Sequence, residues 1–118
     1  MAEITVYGIP NCDTIKKTLD WFKKNKINFH FYDYKKEGID KNKLTEWCSK
    51  VSWGILLNKK STTWRNLSLS EQEKITSQSA AIKLMIKNTS IIKRPVIESG
   101  GKLFIGFDEK AFAKYFLN

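Results

Sequence analysis

Cys12 stands between a short β-branched run and an amphipathic one, where the N-terminus of a helix would face it. Unpaired amides and the positive end of the helix dipole favour a thiolate there. Lys16 and Lys17 would add positive potential, while Asp13 beside the thiol would oppose a second anion. A thiol whose pKa is held below its usual value attacks a disulfide sulfur or another electrophile at neutral pH. On position alone, a reactive thiol and a buried structural cysteine are both open. Cys48 lies beside Trp47, among Leu44 and Val51, and reads as a small core hydrophobe.

Anion recognition is the second chemistry on offer. Of 21 basic residues, 19 are Lys, and only Arg65 and Arg94 are Arg. In a chain that otherwise uses Lys, two arginines reflect either chance or a need for a planar fork that grips an oxyanion or carboxylate at two points. Pro95 follows Arg94 at the start of a strand-like run, where proline marks an edge position or a cis bond. The net charge of +9 raises nucleic acid as a partner, but residues 1–60 carry +5 and residues 61–118 carry +4, without a basic tail or dense block. Solvated lysine faces account for that spread, and direct nucleic-acid binding is not expected.

Composition narrows the class. The chain has 118 residues, of which 42% are hydrophobic and 13% aromatic, enough for one domain with a real core. Two cysteines make no disulfide framework, and with His30 as the one histidine no zinc-ligand spacing is present, so no metal is expected. No apolar run approaches the ~18–20 residues of a membrane span, and the N-terminus opens into a strand pattern rather than a signal peptide. A cytoplasmic, monomeric, soluble domain is the expectation.

The elements that must position these residues read as follows. Residues 3–8 form a buried strand, ended by Pro10, and Asn11 or Cys12 starts a helix with Ile15, Leu19 and Phe22 inward. A second strand covers 28–34, and a charged turn around Gly38 leads to a helix capped by Asp40. Residues 53–63 read as irregular, and 70–87 as one or two helices with a Ser70–Glu73 capping box. Strands at 95–99 and 102–106 flank the turn Gly100-Gly101, and Asp108 caps a last helix with Phe112, Tyr115 and Phe116 inward. The order is βαβ, a helical middle, then ββα. This is an α/β fold with a mixed sheet flanked by helices, a single domain with a helical insertion at about 38–90.

Four stretches, VYGIPNCDTIKKTLDWF, YDYKKEGI, STTWR and IIKRPVI, occur in an order and spacing that resemble the ArsC-like arsenate reductase family. Within it they are most similar to the YffB-type branch, beside the Spx-type regulators. The resemblance spans essentially the whole chain, and NCDTIKK, TTWR and KRP are specific in combination. It implies a thioredoxin-like fold, Cys12 as nucleophile, Arg65 and Arg94 as binders of an oxyanion or thiol substrate, and Pro95 as a cis proline beside the thiol. Asn11 and Lys16, which flank the cysteine in the matching motif, join the implied substrate-binding set.

The resemblance further implies a one-cysteine oxidoreductase without bound cofactor. Cys12 would attack arsenate or a disulfide, glutathione would be the co-substrate, and glutaredoxin would complete the cycle. Ile15 stands where a second redox cysteine would lie, so an outside thiol must resolve Cys12. Arsenate-reducing members carry a histidine four residues before the cysteine, where this chain has Gly8. They also carry a third arginine after the last strand, where this chain reads Gly106-Phe107-Asp108. The phosphatase-like type of arsenate reductase is excluded, because its C-x5-R loop would need arginine at Thr18. Spx-type relatives imply the alternative, a non-enzymatic module that binds RNA polymerase.

Overall fold

The computed structural model describes residues 3–117, and its first unit is organised by one apolar cluster. Alternation along β1 (Ile4–Gly8) turns Ile4 and Val6 to one face, and Ile97 of β3 (Val96–Ser99) lies opposite Val6 in the antiparallel register. Helix α1 (Asp13–Lys24) adds Trp21 and Phe22, and the last helix, described below, adds Phe112 and Phe116. Burying each such side chain contributes about 1.5–3 kcal/mol, so these contacts dominate the unit's stability. The Phe22 and Phe112 rings stack with centroids 5.9 Å apart, while Trp21 meets Phe22 edge-on at 5.3 Å.

The sheet is mixed, with strand order β2-β1-β3-β4, where β2 is His30–Asp33 and β4 is Lys102–Ile105. β4 returns antiparallel to β3 with Ser99 paired to Lys102. Both residues between them, Gly100 and Gly101, have positive φ (53° and 85°). A two-residue hairpin whose twist matches the strands needs that conformation at both positions, which is why the turn is Gly-Gly.

Between β2 and β3 the chain is helical. Asp33 ends β2 and caps α2 (Tyr34–Glu37) by accepting from the amides of Lys35 and Lys36. Asp40 caps α3 (Lys41–Cys48), and two short helices follow, α4 (Trp53–Leu56) and α5 (Thr62–Arg65). Next come α6 (Leu69–Glu73), α7 (Gln78–Lys87) and a 3-10 turn over Thr89–Ile91. Helix α7 packs against α3 and α4, and Leu57 bridges to Ile92. Tyr34, fully buried, donates its hydroxyl to the Ile92 carbonyl (3.1 Å). Helix α8 (Glu109–Phe116) closes the chain, capped by Asp108.

By contact density the chain divides into two compact units. One runs through Phe31 and resumes at Arg94; the other is Tyr32–Lys93. The second contains the stretch read as an insertion over about 38–90 and extends past it at both ends. Among the described residues no helix is long and apolar enough to cross a membrane.

Four local expectations need correction. The second strand is His30–Asp33 rather than 28–34, because Asp33 caps a helix that recruits Tyr34. Residues 53–63 are not irregular, since Ser52 and Ser61 cap α4 and α5. The capping box is Ser68 with Glu71, two residues before the Ser70–Glu73 pair. Tyr115 is 42% exposed rather than inward, with its hydroxyl donating to the Ser99 carbonyl (3.2 Å).

Candidate active site

β1 delivers the chain to Cys12 through Ile9, Pro10 and Asn11, and Cys12 is the N-cap of α1, in extended conformation (φ −146°, ψ 127°). As a neutral thiol, a weak acceptor, it makes no side-chain capping bond. The anion is another matter. Burial, the largest single influence, disfavours it. The amide of Ile15, the Arg94 side chain, the amide of Thr14 and the Arg94 charge outweigh burial together, and hold the thiol below its ordinary value of 9.0. The orphan donors of a helix N-terminus and one guanidinium therefore favour the thiolate over what burial alone would allow.

The positive charge that acts on the sulfur is Arg94, carried by the strand end rather than by the helix. Lys16 and Lys17, expected to supply potential, are exposed to solvent, as is Asp13. Lys16 touches the site through its backbone, its N–H donating to the Cys12 carbonyl (3.0 Å). Lys17 is turned over the Phe107 ring, 5.5 Å from its centre. Asn11 is exposed directly before the cysteine.

Arg94 is half-buried, with its Nε shielded from solvent, and it precedes a buried Pro95. The Arg94–Pro95 peptide bond is cis. The Gly106 amide donates to the Pro95 carbonyl (2.8 Å), which ties the end of β4 to the segment carrying Arg94. Cys12, Arg94 and Pro95 thus belong to one unit. Arg65 is exposed at the end of α5, in the helical unit.

One contact was not read from the sequence. A Cβ added at Gly8 would overlap Ile15 Cδ1 and lie 2.9 Å from Ile15 Cγ1. The absence of a side chain at position 8 and the isoleucine at position 15 are therefore one feature: Ile15, fully buried, occupies the space beside Gly8. The signal was present in the helix spacing, which turns Ile15 inward within the turn that Cys12 caps.

Cys48, the last residue of α3, is half-buried, and burial pushes its thiol up from 9.0. The two cysteines are shifted in opposite directions. Among the described residues no group of three or more His, Cys, Asp or Glu could hold a metal ion. A cavity of about 410 Å³ opens at the start of β1 between Glu3, Lys26, Phe29 and His30, and includes none of the groups that act on Cys12.

A cysteine at a helix N-terminus, its thiol lowered with the help of an arginine that precedes a cis proline in a mixed α/β sheet, is the setting in which similarity to known proteins becomes informative. The ArsC family model matches residues 7–115. The chain belongs to the ArsC family. Among solved structures, the YffB protein superposes with a TM-score of 0.89 at 40% identity, over 94% of this chain and 96% of that one. A Haemophilus influenzae protein, described as uncharacterized, is 45% identical over 114 residues, 96% of this chain and 98% of its own length. The regulatory protein MgsR of Bacillus subtilis is 28% identical over 108 residues, 90% of this chain and 84% of its own. The ArsC chain described here has the thioredoxin-like α/β fold that its motifs implied, and it falls in the group that joins YffB-type to Spx-type proteins.

Proposed function

We propose that this ArsC-family protein is a glutathione-linked thiol oxidoreductase with Cys12 as its single nucleophile. The observation that carries the reading is the lowered thiol of Cys12 at the N-terminus of α1, acted on by Arg94 from the end of a neighbouring strand. The thiolate attacks the glutathione sulfur of a mixed disulfide R–S–S–G. The S–S bond breaks, R–S⁻ leaves, and Cys12 carries glutathione. A second glutathione thiolate then attacks that new bond, which frees Cys12 and releases oxidised glutathione. With arsenate, Cys12 would displace hydroxide at arsenic and form an S–As bond. A glutathione thiolate would then attack the Cys12 sulfur, the S–As bond would break with its electron pair leaving on arsenic as arsenite, and glutaredoxin would reduce the resulting Cys12–glutathione disulfide.

Arg94 neutralises charge on the attacking sulfur and on the anionic substrate, with Pro95 as the wall beside it. Asn11 and Lys16 complete the proposed substrate-binding set in the unit that holds Cys12, while the inclusion of Arg65, in the helical unit, rests on the family resemblance alone. Gly8 and the single arginine acting on the thiol favour a disulfide over a multiply charged oxyanion. Relatedness to MgsR supports a second reading, a regulatory module of Spx type that binds RNA polymerase.

The test is NADPH consumption in the presence of glutathione, glutathione reductase and glutaredoxin, begun with arsenate or with a glutathionylated peptide. Turnover on the peptide that vanishes in Cys12→Ser and falls in Arg94→Lys is the expected result, since Lys keeps the charge without the fork. Turnover on arsenate alone would make the protein an arsenate reductase. Silence with both substrates, together with retention on polymerase subunits that survives Cys12→Ser, would establish the regulatory module instead.

A further inference from the structure

Among the donors that favour the Cys12 anion, the Ile15 amide acts most strongly, ahead of the Arg94 side chain. That N–H shares one peptide group with the Thr14 carbonyl. A peptide group is planar and trans, so its N–H and C=O point in opposite directions and turn together. Whatever fixes the Thr14 carbonyl therefore fixes the direction of the Ile15 amide. The Thr18 hydroxyl does so, donating to the Thr14 carbonyl at 2.8 Å. Thr18 is fully buried, where a hydroxyl needs a partner. A second hold acts on the other side of the same peptide. Ile15, also fully buried, fills the space that Gly8 leaves open, where an added Cβ would overlap Ile15 Cδ1 and lie 3.6 Å from Phe31 Cε1. One peptide group is thus fixed at its oxygen by Thr18 and at its following α-carbon by the seat of Ile15. All of these residues belong to the sheet unit. Hydrogen bonds at the two ends of one peptide also polarise each other, so the bond from Thr18 strengthens the one the amide makes.

We propose that Thr18 and Ile15 are positioning residues for the Cys12 nucleophile, with Gly8 leaving the space that seats Ile15. Their side chains hold the Thr14–Ile15 peptide with its N–H aimed at the sulfur. This role rests on Cys12 as the proposed nucleophile and adds to it one amide locked in direction, which a helix N-terminus alone does not supply. Neither residue brings charge to the thiol. Arg94 bonds the sulfur from the strand end, and Asp13, Lys16 and Lys17 are exposed on α1.

The test follows iodoacetamide labelling of Cys12 against pH in the full chain, read by mass spectrometry. Thr18→Val keeps the shape and removes the hydroxyl. It is expected to raise the Cys12 midpoint and slow labelling at pH 7 by about threefold or more. Thr18→Ser keeps the hydroxyl and should hold the wild-type midpoint. Gly8→Ala should raise the midpoint by displacing Ile15, and adding Ile15→Val, which removes the Cδ1 methyl, should return part of the shift. Phe116→Leu loosens the core against Trp21 and Phe22 at the far end of α1 and should leave the midpoint where it is. Circular dichroism checks the fold of each variant, and the two Thr18 variants decide the matter if Gly8→Ala does not fold. A wild-type midpoint in Thr18→Val, an equal shift in Thr18→Ser, or as large a shift in Phe116→Leu overturns the proposal. Turnover that still depends on Cys12 would then leave the oxidoreductase reading standing. A wild-type Cys12 that labels no faster than Cys48 overturns both.

Discussion

Cys12 and Cys48 carry the same functional group and are pushed apart by what surrounds them. Burial acts on both. At Cys48 it acts alone and raises the thiol; at Cys12 two amides and Arg94 outweigh it. At neutral pH Cys12 should therefore alkylate faster than Cys48, with its rate midpoint below 9.0 and that of Cys48 above, as measured by mass spectrometry of iodoacetamide-labelled peptides. Arg94→Gln should slow the Cys12 reaction by roughly threefold to tenfold and move its midpoint up. The linkage has opposite signs at the two sites. The lowered Cys12 thiol contributes stability above its ordinary 9.0, and that contribution disappears as pH falls through the folded value. The raised Cys48 thiol contributes stability below 9.0, lost as pH rises through its folded value. Gly8 belongs to the same scale. Gly8→Ala should destabilise by about 1–3 kcal/mol, because Ile15 must give way, and Ile15→Val should relieve part of that cost in a double-mutant cycle.

Elements here are set by caps as much as by periodicity. Six helices of the helical unit, α2 to α7, begin at a Ser or Asp whose side chain accepts an N2 or N3 amide. Helix α6 adds the reciprocal bond from Glu71. Ser68→Ala should cost about 1 kcal/mol in urea unfolding, and Ser70→Ala, exposed at the second helical position, only a few tenths. The serine-rich run at 68–70 leaves both registers open in sequence. What decides between them is that Glu71 reaches back to the Ser68 amide (3.1 Å), while Ser70 lies inside the helix. Tyr115 shows the same limit. Its spacing fits the inward stripe with Phe112 and Phe116, but its hydroxyl finds the Ser99 carbonyl only by staying at the rim, with the ring edge-on to Phe104 at 5.2 Å.

At the scale of the molecule, each unit depends on contacts made between segments far apart in sequence. Phe112 is fully buried and touches the rings of Trp21, Phe22, Phe104 and Phe107, so Phe112→Ala should cost about 3–5 kcal/mol by chemical denaturation. Tyr34→Phe in the helical unit should cost about 1 kcal/mol, since it removes one buried hydrogen bond and leaves the Ile92 carbonyl to find another partner. Both are read as midpoint shifts at unchanged denaturant dependence.

The amino-acid sequence by itself determined the strand–helix–strand opening, the Gly-Gly hairpin, the Asp40 and Asp108 caps, and Cys12 at the start of α1. Each of these is a local matter of periodicity, backbone freedom or one side chain within three residues of its partner. The sequence also singled out Arg94 through its rarity. What only the tertiary structure decided is which charge acts on the thiol. Lys16 and Lys17 are near Cys12 along the chain, yet the helix turns their side chains outward. Arg94 is 82 residues away and is brought in by the sheet, because β3 pairs with β1 and so carries its N-terminal end to the end of β1 that leads to Cys12.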